Sequence, residues 1–182
     1  IDRHGHGTHV AGIVGAIANN GLGVVGVAPG VELVPVKVID DSGAGSISGI
    51  LAGIDFVNAK ARPGDVVNLS LGGGAMNILD NAVYDTSQKG IWFTIAAGNT
   101  GSDAALVSPG RTNGAFIRTI GAMSCSGYYA FFSNYNINIV DYFAPGVGIC
   151  STSLNGGYAS YSGTSMAAPH AAVILLMSAG NA

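Results

Sequence analysis

Charged residues are scarce in this sequence of 182 residues, at 9% of the total. Its lysines and arginines are scattered along the chain, so no basic patch is available to bind the phosphate backbone of a nucleic acid. No run reaches the roughly 18 to 20 consecutive apolar residues that a membrane-spanning helix needs. We therefore expect neither a nucleic acid nor a membrane as a partner.

Cysteine is equally scarce, with Cys125 and Cys150 as the only two. Two cysteines are too few for a disulfide framework. They are compatible with one bridge or with two buried thiols, and the sequence leaves both alternatives open. A charged segment followed by an apolar one, as in a secretory leader, is also missing, so we expect any targeting segment to lie outside this sequence.

Apolar residues and glycine are abundant, with 48% hydrophobic residues and 29 glycines. This composition is typical of a compact, loop-rich globular protein and not of a disordered chain. The length fits a single domain, residues 1–182, that can bury a sizeable core.

Short apolar runs rich in β-branched residues predict strands that are buried on both faces, as in a parallel sheet. The predicted strands are Val24–Ala28, Leu33–Ile39, Val66–Leu69, Ile91–Ala96, Ile117–Gly121 and Ile137–Phe143. Apolar residues at helical spacing predict helices over 47–57 and 78–83, and a last helix is expected from about Thr164. Residues 151–162 predict a hairpin with Asn155-Gly156 as its turn. The alternation of strands and helices predicts an α/β fold with a mostly parallel sheet and helices on both faces.

Two motifs near opposite ends of the chain contain a base and a nucleophile. His6 begins the motif HGTHVAG, and Ser165 lies in the motif GTSMAAPH. A serine hydroxyl becomes an effective nucleophile when a neighbouring imidazole takes its proton, so this pair indicates a hydrolase. Ser165 is expected where the last helix begins, so that the helix amides and dipole face a developing oxyanion. Pro169 is expected in the first helical turn, where a missing N–H costs little.

Other interpretations of these residues are less specific. A serine before an apolar helix is often a helix cap. His4, His6 and His9 have spacings that could collect a zinc ion, but no glutamate follows as in a His-Glu-x-x-His site. His4 is instead expected to be a solvated loop residue. An α/β-hydrolase esterase needs its acid and histidine after the serine, and only His170 follows Ser165.

Six motifs, in order from end to end, resemble the subtilisin family (subtilases) of serine proteases. They are HGTHVAG (6–12), GVAP (26–29), NLSLGG (68–73), AAGN (96–99), FAPG (143–146) and GTSMAAPH (163–170). The resemblance implies a subtilisin-like fold and a serine endopeptidase with Ser165 as the nucleophile and His6 as the general base. It also implies that the side-chain amide of Asn99 completes the oxyanion hole with the backbone N–H of Ser165.

The same resemblance implies polypeptide substrates that bind in an extended conformation by strand addition. Such a substrate would lie between an edge and a facing segment, which are Gly43, Ala44 and Gly45 on one side and Ser70, Leu71 and Gly72 on the other. The pocket for the residue before the scissile bond would be lined by Gly72, Gly73, Ala96, Ala97 and Gly98. These small residues suggest apolar substrate side chains of some bulk. The protein is further expected to be secreted and monomeric.

A calcium site is implied as well, because the segment 18–24 resembles the calcium loop of the family. Its ligands would be the side chain of Asn20 and the backbone carbonyls of Ala18, Leu22 and Val24. The other ligands, which include a carboxylate, would come from sequence before residue 1.

The chain departs from the family pattern at both ends. Family members carry their triad in the order Asp, His, Ser, with the aspartate at a strand end some tens of residues before the histidine, whereas five residues precede His6. Asp2 is too near to His6 for that role, and the helices that follow the serine-bearing helix are missing. We therefore expect a catalytic domain truncated at both ends, with an unpaired sheet edge.

Without the aspartate, His6 lacks the group that fixes its tautomer and stabilises the imidazolium. The chain alone is expected to be a very poor protease or an inactive one. The alternative is a non-catalytic, peptide-binding homologue that keeps the cleft.

Overall fold

The computed structural model describes residues 1–178, which contain eight strands and four α-helices. The strands are β1 (Val66–Leu69), β2 (Gly73–Gly74), β3 (Trp92–Ala96), β4 (Val107–Ser108), β5 (Ile117–Met123), β6 (Val140–Pro145), β7 (Ile149–Thr152) and β8 (Tyr158–Tyr161). The helices are α1 (His6–Gly15), α2 (Ile47–Lys60), α3 (Asn77–Ser87) and α4 (Thr164–Ser178). Within these residues, no helix combines the length and the hydropathy that crossing a membrane requires.

A four-stranded sheet forms the centre of the fold, with the strand order β1-β3-β5-β6. All three strand pairings are parallel. Four of the predicted strands are thus confirmed, with boundaries shifted by at most three residues. The predicted α/β class with a mostly parallel sheet is also confirmed.

Helices cover both faces of this sheet. Successive residues of a strand point to opposite faces, so each strand contributes to a core on each side. On one face, Phe93 and Ile95 of β3 belong to a core that α2 and α3 complete. On the other face, Ala96 and Ala122 pack against alanines of α4. Small side chains on both partners allow a close approach, and the first residues of α4 consequently meet the residues that follow β1 and β3.

Two small antiparallel ribbons complete the described residues. β7 and β8 form the predicted hairpin, and Asn155 and Gly156 in its turn have φ angles of 58° and 73°. The second ribbon, which pairs β2 with β4, was not predicted, because two-residue strands leave no recognisable pattern in a sequence. α1 packs between the hairpin strand β7 and α4.

The predicted strand Val24–Ala28 is wrong, because the backbone of this segment caps α1. The Val27 N–H donates to the Ile13 carbonyl (2.8 Å) and the Ala28 N–H donates to the Val14 carbonyl (2.9 Å). The last four carbonyls of a helix have no partner within the helix, and this segment provides partners for them. Its N–H groups are therefore not available for a sheet.

The predicted strand Leu33–Ile39 is also wrong, because no described strand pairs with it. A strand requires a hydrogen-bonded neighbour. β1 pairs only with β3 within residues 1–178, so its other edge is open in the described part of the chain. Val34, with 67% of its surface exposed, has apolar surface that a neighbouring strand would cover.

Cys125 and Cys150 are both exposed and form no disulfide. The prediction of a bridge is not realised, and the expected burial of two thiols is wrong. Cys150 lies in β7, where the following residue, Ser151, points inward and is buried. Because strand residues alternate, Cys150 points to solvent.

Candidate active site

Ser165 is the second residue of α4, directly after buried Gly163 and Thr164. The first four N–H groups of a helix have no partner within it, so the Ser165 N–H points out of the helix end. The helix dipole adds positive potential at the same place. The predicted position of Ser165 at a helix start is therefore confirmed, and its role as the nucleophile stays a prediction.

Pro169 does not lie in the first turn, as expected, but is the sixth residue of α4. At this depth a proline removes a helical hydrogen bond. The carbonyl of Ser165 accepts a hydrogen bond from the Ser70 hydroxyl (2.7 Å). The sequence alone did not suggest this contact, because it joins residues 95 positions apart.

The side chain of Asn99 follows β3 and is oriented by Thr164. Its Oδ1 accepts hydrogen bonds from the Thr164 N–H (2.8 Å) and from the Thr164 hydroxyl (2.9 Å). A backbone N–H can only donate, so this end of the amide must be the oxygen, and Nδ2 has no hydrogen-bond partner within residues 1–178. Thr164 was missed as a site residue, although it stands beside Ser165 in the motif.

Asn99 and Ser165 present their donors to the same small space. A Cβ atom placed on Gly163 would lie 3.4 Å from Asn99 Nδ2 and 3.7 Å from the Ser165 nitrogen. The same Cβ would lie 3.7 Å from Asn99 Oδ1, so the amide of Asn99 and the nitrogen of Ser165 both border the position of the side chain that Gly163 lacks. An oxyanion held between these two nitrogens would have the two donors that acyl-transfer enzymes use.

His6 begins α1 and is half-buried. Burial lowers its pKa below the ordinary value, the positive charges of His4 and His9 lower the pKa further, and the charge of Asp2 opposes them. Its ring makes no hydrogen bond to Ser165 in the described residues. The Ser165 hydroxyl instead lies 3.4 Å from the carbonyl oxygen of Ser70.

The carboxylate of Asp2 is engaged by the backbone around His6 and forms no hydrogen bond with the His6 ring in the described residues. Its carboxylate accepts hydrogen bonds from the backbone N–H groups of His4 (3.0 Å), Gly5 (2.9 Å) and Thr8 (2.8 Å), and from the Thr8 hydroxyl (2.7 Å). Desolvation alone would raise the pKa of Asp2, but these bonds hold it well below its usual range. Asp2 thus accepts the Thr8 N–H in the first turn of α1, whose N-cap is Gly5, and fixes the turn before His6.

The zinc alternative receives no support from the geometry. His9 is fully buried, its Nε2 lies 3.0 Å from the Ala159 carbonyl oxygen, and its ring stacks on Tyr161. His4 is exposed, as expected for a loop residue. Within residues 1–178, no three His, Cys, Asp or Glu side chains come together as a metal site.

A cavity of about 490 Å³ opens beside Ser165 and Asn99. Five of the predicted substrate-binding residues line it, and they are Leu71, Gly72, Gly73, Ala96 and Gly98. Its remaining lining residues were missed, and they are Gly74, Thr100, Ser102, Leu106, Val107, Asn134 and Thr164. Most of these come from the 100–107 loop, which the β2–β4 ribbon brings to the cavity. That ribbon was not foreseen.

The other predicted substrate-binding residues lie outside this cavity. Ser70 contacts Ser165 directly but does not line the cavity, and Ala97 is fully buried. Gly43, Ala44 and Gly45 lie in an exposed turn, in which the Asp40 carboxylate accepts a hydrogen bond from the Ala44 N–H (3.0 Å). A role for this turn in binding substrate stays a prediction.

The predicted calcium loop borders a second cavity of about 310 Å³, which Asn20, Leu22 and Val24 help to line. The Asn20 Oδ1 atom, however, accepts a hydrogen bond from the Leu22 N–H (3.0 Å). Calcium requires six to eight oxygen ligands, commonly with carboxylates among them. The described residues offer carbonyls and one engaged amide, so they do not form a calcium site by themselves.

The chain is similar to known proteins in sequence and in fold along almost its whole length. A family model described as the subtilase family matches residues 1–180. The chain is 46% identical over 171 residues to the alkaline serine exoprotease A of Vibrio alginolyticus, an alignment that covers 94% of this chain and 30% of that protein. It is 44% identical over 171 residues to the extracellular serine proteinase of Thermus sp. strain Rt41A, and this alignment covers 93% of this chain and 40% of that protein.

The fold is also similar to the crystal structure of a cold adapted subtilisin-like serine proteinase. The TM-score is 0.90 at 42% sequence identity, and the match covers 99% of this chain and 63% of that one. The chain therefore spans less than two thirds of the length of each of these three proteins.

Proposed function

The chain belongs to the subtilase family, and on this premise we propose that the protein it is part of is a serine endopeptidase that acts through an acyl-enzyme. The proximity of the Asn99 amide nitrogen and the Ser165 nitrogen beside Gly163, with Asn99 oriented by Thr164, supports this proposal most directly. Two preorganised donors beside a serine hydroxyl and a cavity suit the stabilisation of a tetrahedral oxyanion.

In the proposed reaction, His6 takes the proton of the Ser165 hydroxyl as Oγ attacks the substrate carbonyl. The carbonyl oxygen becomes an oxyanion that accepts hydrogen bonds from Asn99 Nδ2 and the Ser165 N–H. His6 then gives its proton to the leaving amine, and the acyl group stays on Ser165. A water molecule, activated by His6, releases the acyl group by the same steps.

The substrate is proposed to be an extended polypeptide with an uncharged, apolar residue before the scissile bond. The cavity beside Ser165 has Leu71, Leu106 and Val107 in its lining and contains no charged side chain among its lining residues. A charged side chain in such a cavity would lose its hydration without gaining a partner.

We further propose that the triad acid comes from outside this chain and lies on a strand that pairs with the open edge of β1. Within residues 1–178, no carboxylate forms a hydrogen bond or a salt bridge with the His6 ring, and β1 ends beside Ser70, which bonds Ser165. Removing the triad aspartate of a subtilisin lowers kcat about 3 × 10⁴-fold. The chain of residues 1–182 alone is thus expected to be nearly inactive.

The test compares residues 1–182 with the longer protein that contains them, using a chromogenic peptide with an apolar residue before the scissile bond. We expect rapid hydrolysis by the longer protein, its loss on Ser165→Ala, and a rate lower by about four orders of magnitude in the short chain. A fluorophosphonate should label Ser165 rapidly in the longer protein, far more slowly in residues 1–182, and not at all in the Ser165→Ala variant.

The second candidate function, a non-catalytic peptide-binding homologue, is favoured by the absence of an acid at His6 in the described residues. A longer protein that binds peptides but fails to react with the fluorophosphonate would establish this candidate and overturn the protease. Rapid hydrolysis by residues 1–182 would instead refute the role of an external acid.

Secretion and a monomeric state are further proposals. The relatives include an exoprotease and an extracellular proteinase, which supports secretion. Calcium binding stays a prediction for the longer protein, since it requires a carboxylate beyond the residues described.

A further inference from the structure

Pro169 leaves the carbonyl group of Ser165 without its helical partner. In an α-helix the N–H of residue i+4 donates to the carbonyl of residue i, so residue 169 would normally bond Ser165. Proline has no N–H. The Ser70 hydroxyl donates to this carbonyl instead, over 2.7 Å, and it reaches α4 from the residue that follows β1.

The hydroxyl of Ser70 is itself held by two residues of the sheet. Asn68 Nδ2 donates to Ser70 Oγ (2.9 Å), and the hydroxyl of fully buried Thr94 lies 3.3 Å from Asn68 Oδ1, to which it donates. A carbonyl can only accept, so the single hydroxyl proton of Ser70 must point to Ser165. All three hydrogen bonds therefore run in one direction, from the core of the sheet to the nucleophile residue.

The geometry points to Ser70 and Asn68 as positioning residues that replace the helical bond missing at Pro169 and fix Ser165 against the end of β1. This inference rests on the proposed function, in which Ser165 attacks the substrate. It gives Ser70 a role in addition to the predicted substrate contact. The Ser70 carbonyl oxygen also lies 3.4 Å from Ser165 Oγ. The hydroxyl of each serine is therefore close to the carbonyl of the other.

The first test is a double-mutant cycle on residues 1–182, which needs no enzymatic activity. We expect Ser70→Ala to raise the equilibrium constant of unfolding about 5- to 30-fold, as for the loss of a hydrogen bond that leaves a partly buried carbonyl without a partner. Pro169→Ala provides a helical N–H for the Ser165 carbonyl. In that background the effect of Ser70→Ala should fall to about 3-fold or less, because the carbonyl keeps a partner.

Matched variants identify the bond that is responsible. Ser70→Thr keeps a hydroxyl and should retain most of the stability. Ser151→Ala removes a different hydroxyl, a buried one that donates to the His9 carbonyl (2.7 Å) of a helix without a proline. Its effect should be the same with and without Pro169→Ala. If Ser70→Ala is equally additive with Pro169→Ala, the inference is refuted.

The second test separates positioning from stability, using the longer protein at a temperature at which every variant is folded. Ser70→Ala and Asn68→Ala should lower kcat about 10-fold, and Pro169→Ala should restore part of the loss in Ser70→Ala. The inference would be overturned if the effects of Ser70→Ala and Pro169→Ala on stability are coupled but kcat is unchanged, because Ser70 would then have a structural role only. An inactive parent protein would refute the proposed function, while the stability cycle would still decide whether the contact exists.

Discussion

Gly12 gives the sharpest prediction for this fold, because replacing it by alanine sets helix propensity against packing. Gly12 lies in α1, where alanine is intrinsically better than glycine by about 1 kcal/mol. A Cβ at this position, however, would overlap the hydroxyl oxygens of Ser151 and Thr152 and lie 3.0 Å from the Thr152 nitrogen. The outcome depends on whether β7 can move away.

Both hydroxyls are held by hydrogen bonds to α1. Ser151 Oγ donates to the His9 carbonyl (2.7 Å), and Thr152 Oγ1 donates to the Thr8 carbonyl (2.8 Å). Moving them breaks bonds of about 0.5–1.5 kcal/mol each, and overpacking adds about 1–3 kcal/mol. We therefore expect Gly12→Ala to lower the free energy of unfolding by a net amount of about 1–5 kcal/mol, despite its gain in helix propensity.

Gly7→Ala is the matched control in the same helix. Its Cβ would lie 3.5 Å from the nearest atom, Asp2 Oδ2, which is an ordinary contact. This variant should be as stable as the parent or more stable by up to about 1 kcal/mol. Urea unfolding followed by the fluorescence of Trp92, the only tryptophan, measures both changes. If both variants shift the midpoint in the same direction, the packing of α1 on β7 is not as described here.

Three further predictions follow from the site and the surface. Burial and two neighbouring histidines lower the pKa of His6, so in residues 1–182 it should titrate by NMR at a lower pH than an unstructured histidine. In the longer protein a carboxylate beside the ring should raise this pKa, and equal midpoints in the two proteins would contradict an external acid. Cys125 and Cys150 should both react with a thiol reagent in the native chain without reductant, whereas unreactive thiols would indicate a bridge or burial. Arg111→Ala should destabilise the fold by about 1–2 kcal/mol in urea unfolding, because Arg111 Nε bonds the largely buried Asp80 carboxylate over 2.6 Å; a loss near zero would mean that the pair behaves like an exposed one.

Local patterns in the sequence were sufficient where a residue's neighbours along the chain decide its structure. The apolar runs that became β1, β3, β5 and β6 were found because the strands of a parallel sheet are mostly apolar, although each of the four also contains at least one polar residue. The start of α4 and the turn at Asn155-Gly156 follow from capping and turn preferences that act within a few residues.

The two wrong strands show where this reasoning stops. Val24–Ala28 and Leu33–Ile39 have the composition of strands, but pairing is a property of two segments and not of one. The backbone of the first segment bonds the end of α1, and the second has no neighbour in the described residues. Composition could not distinguish either case from a paired strand.

The candidate site divides in the same way. The sequence by itself determined its chemical groups and its family, since Ser165, His6 and Asn99 stand in motifs that are specific in their order. Only the tertiary structure decided how these groups are held, because Thr164 orients Asn99 and Ser70 bonds Ser165 across long separations in the chain. Orientation depends on hydrogen bonds between segments that folding brings together, and no local pattern in the sequence contains that information.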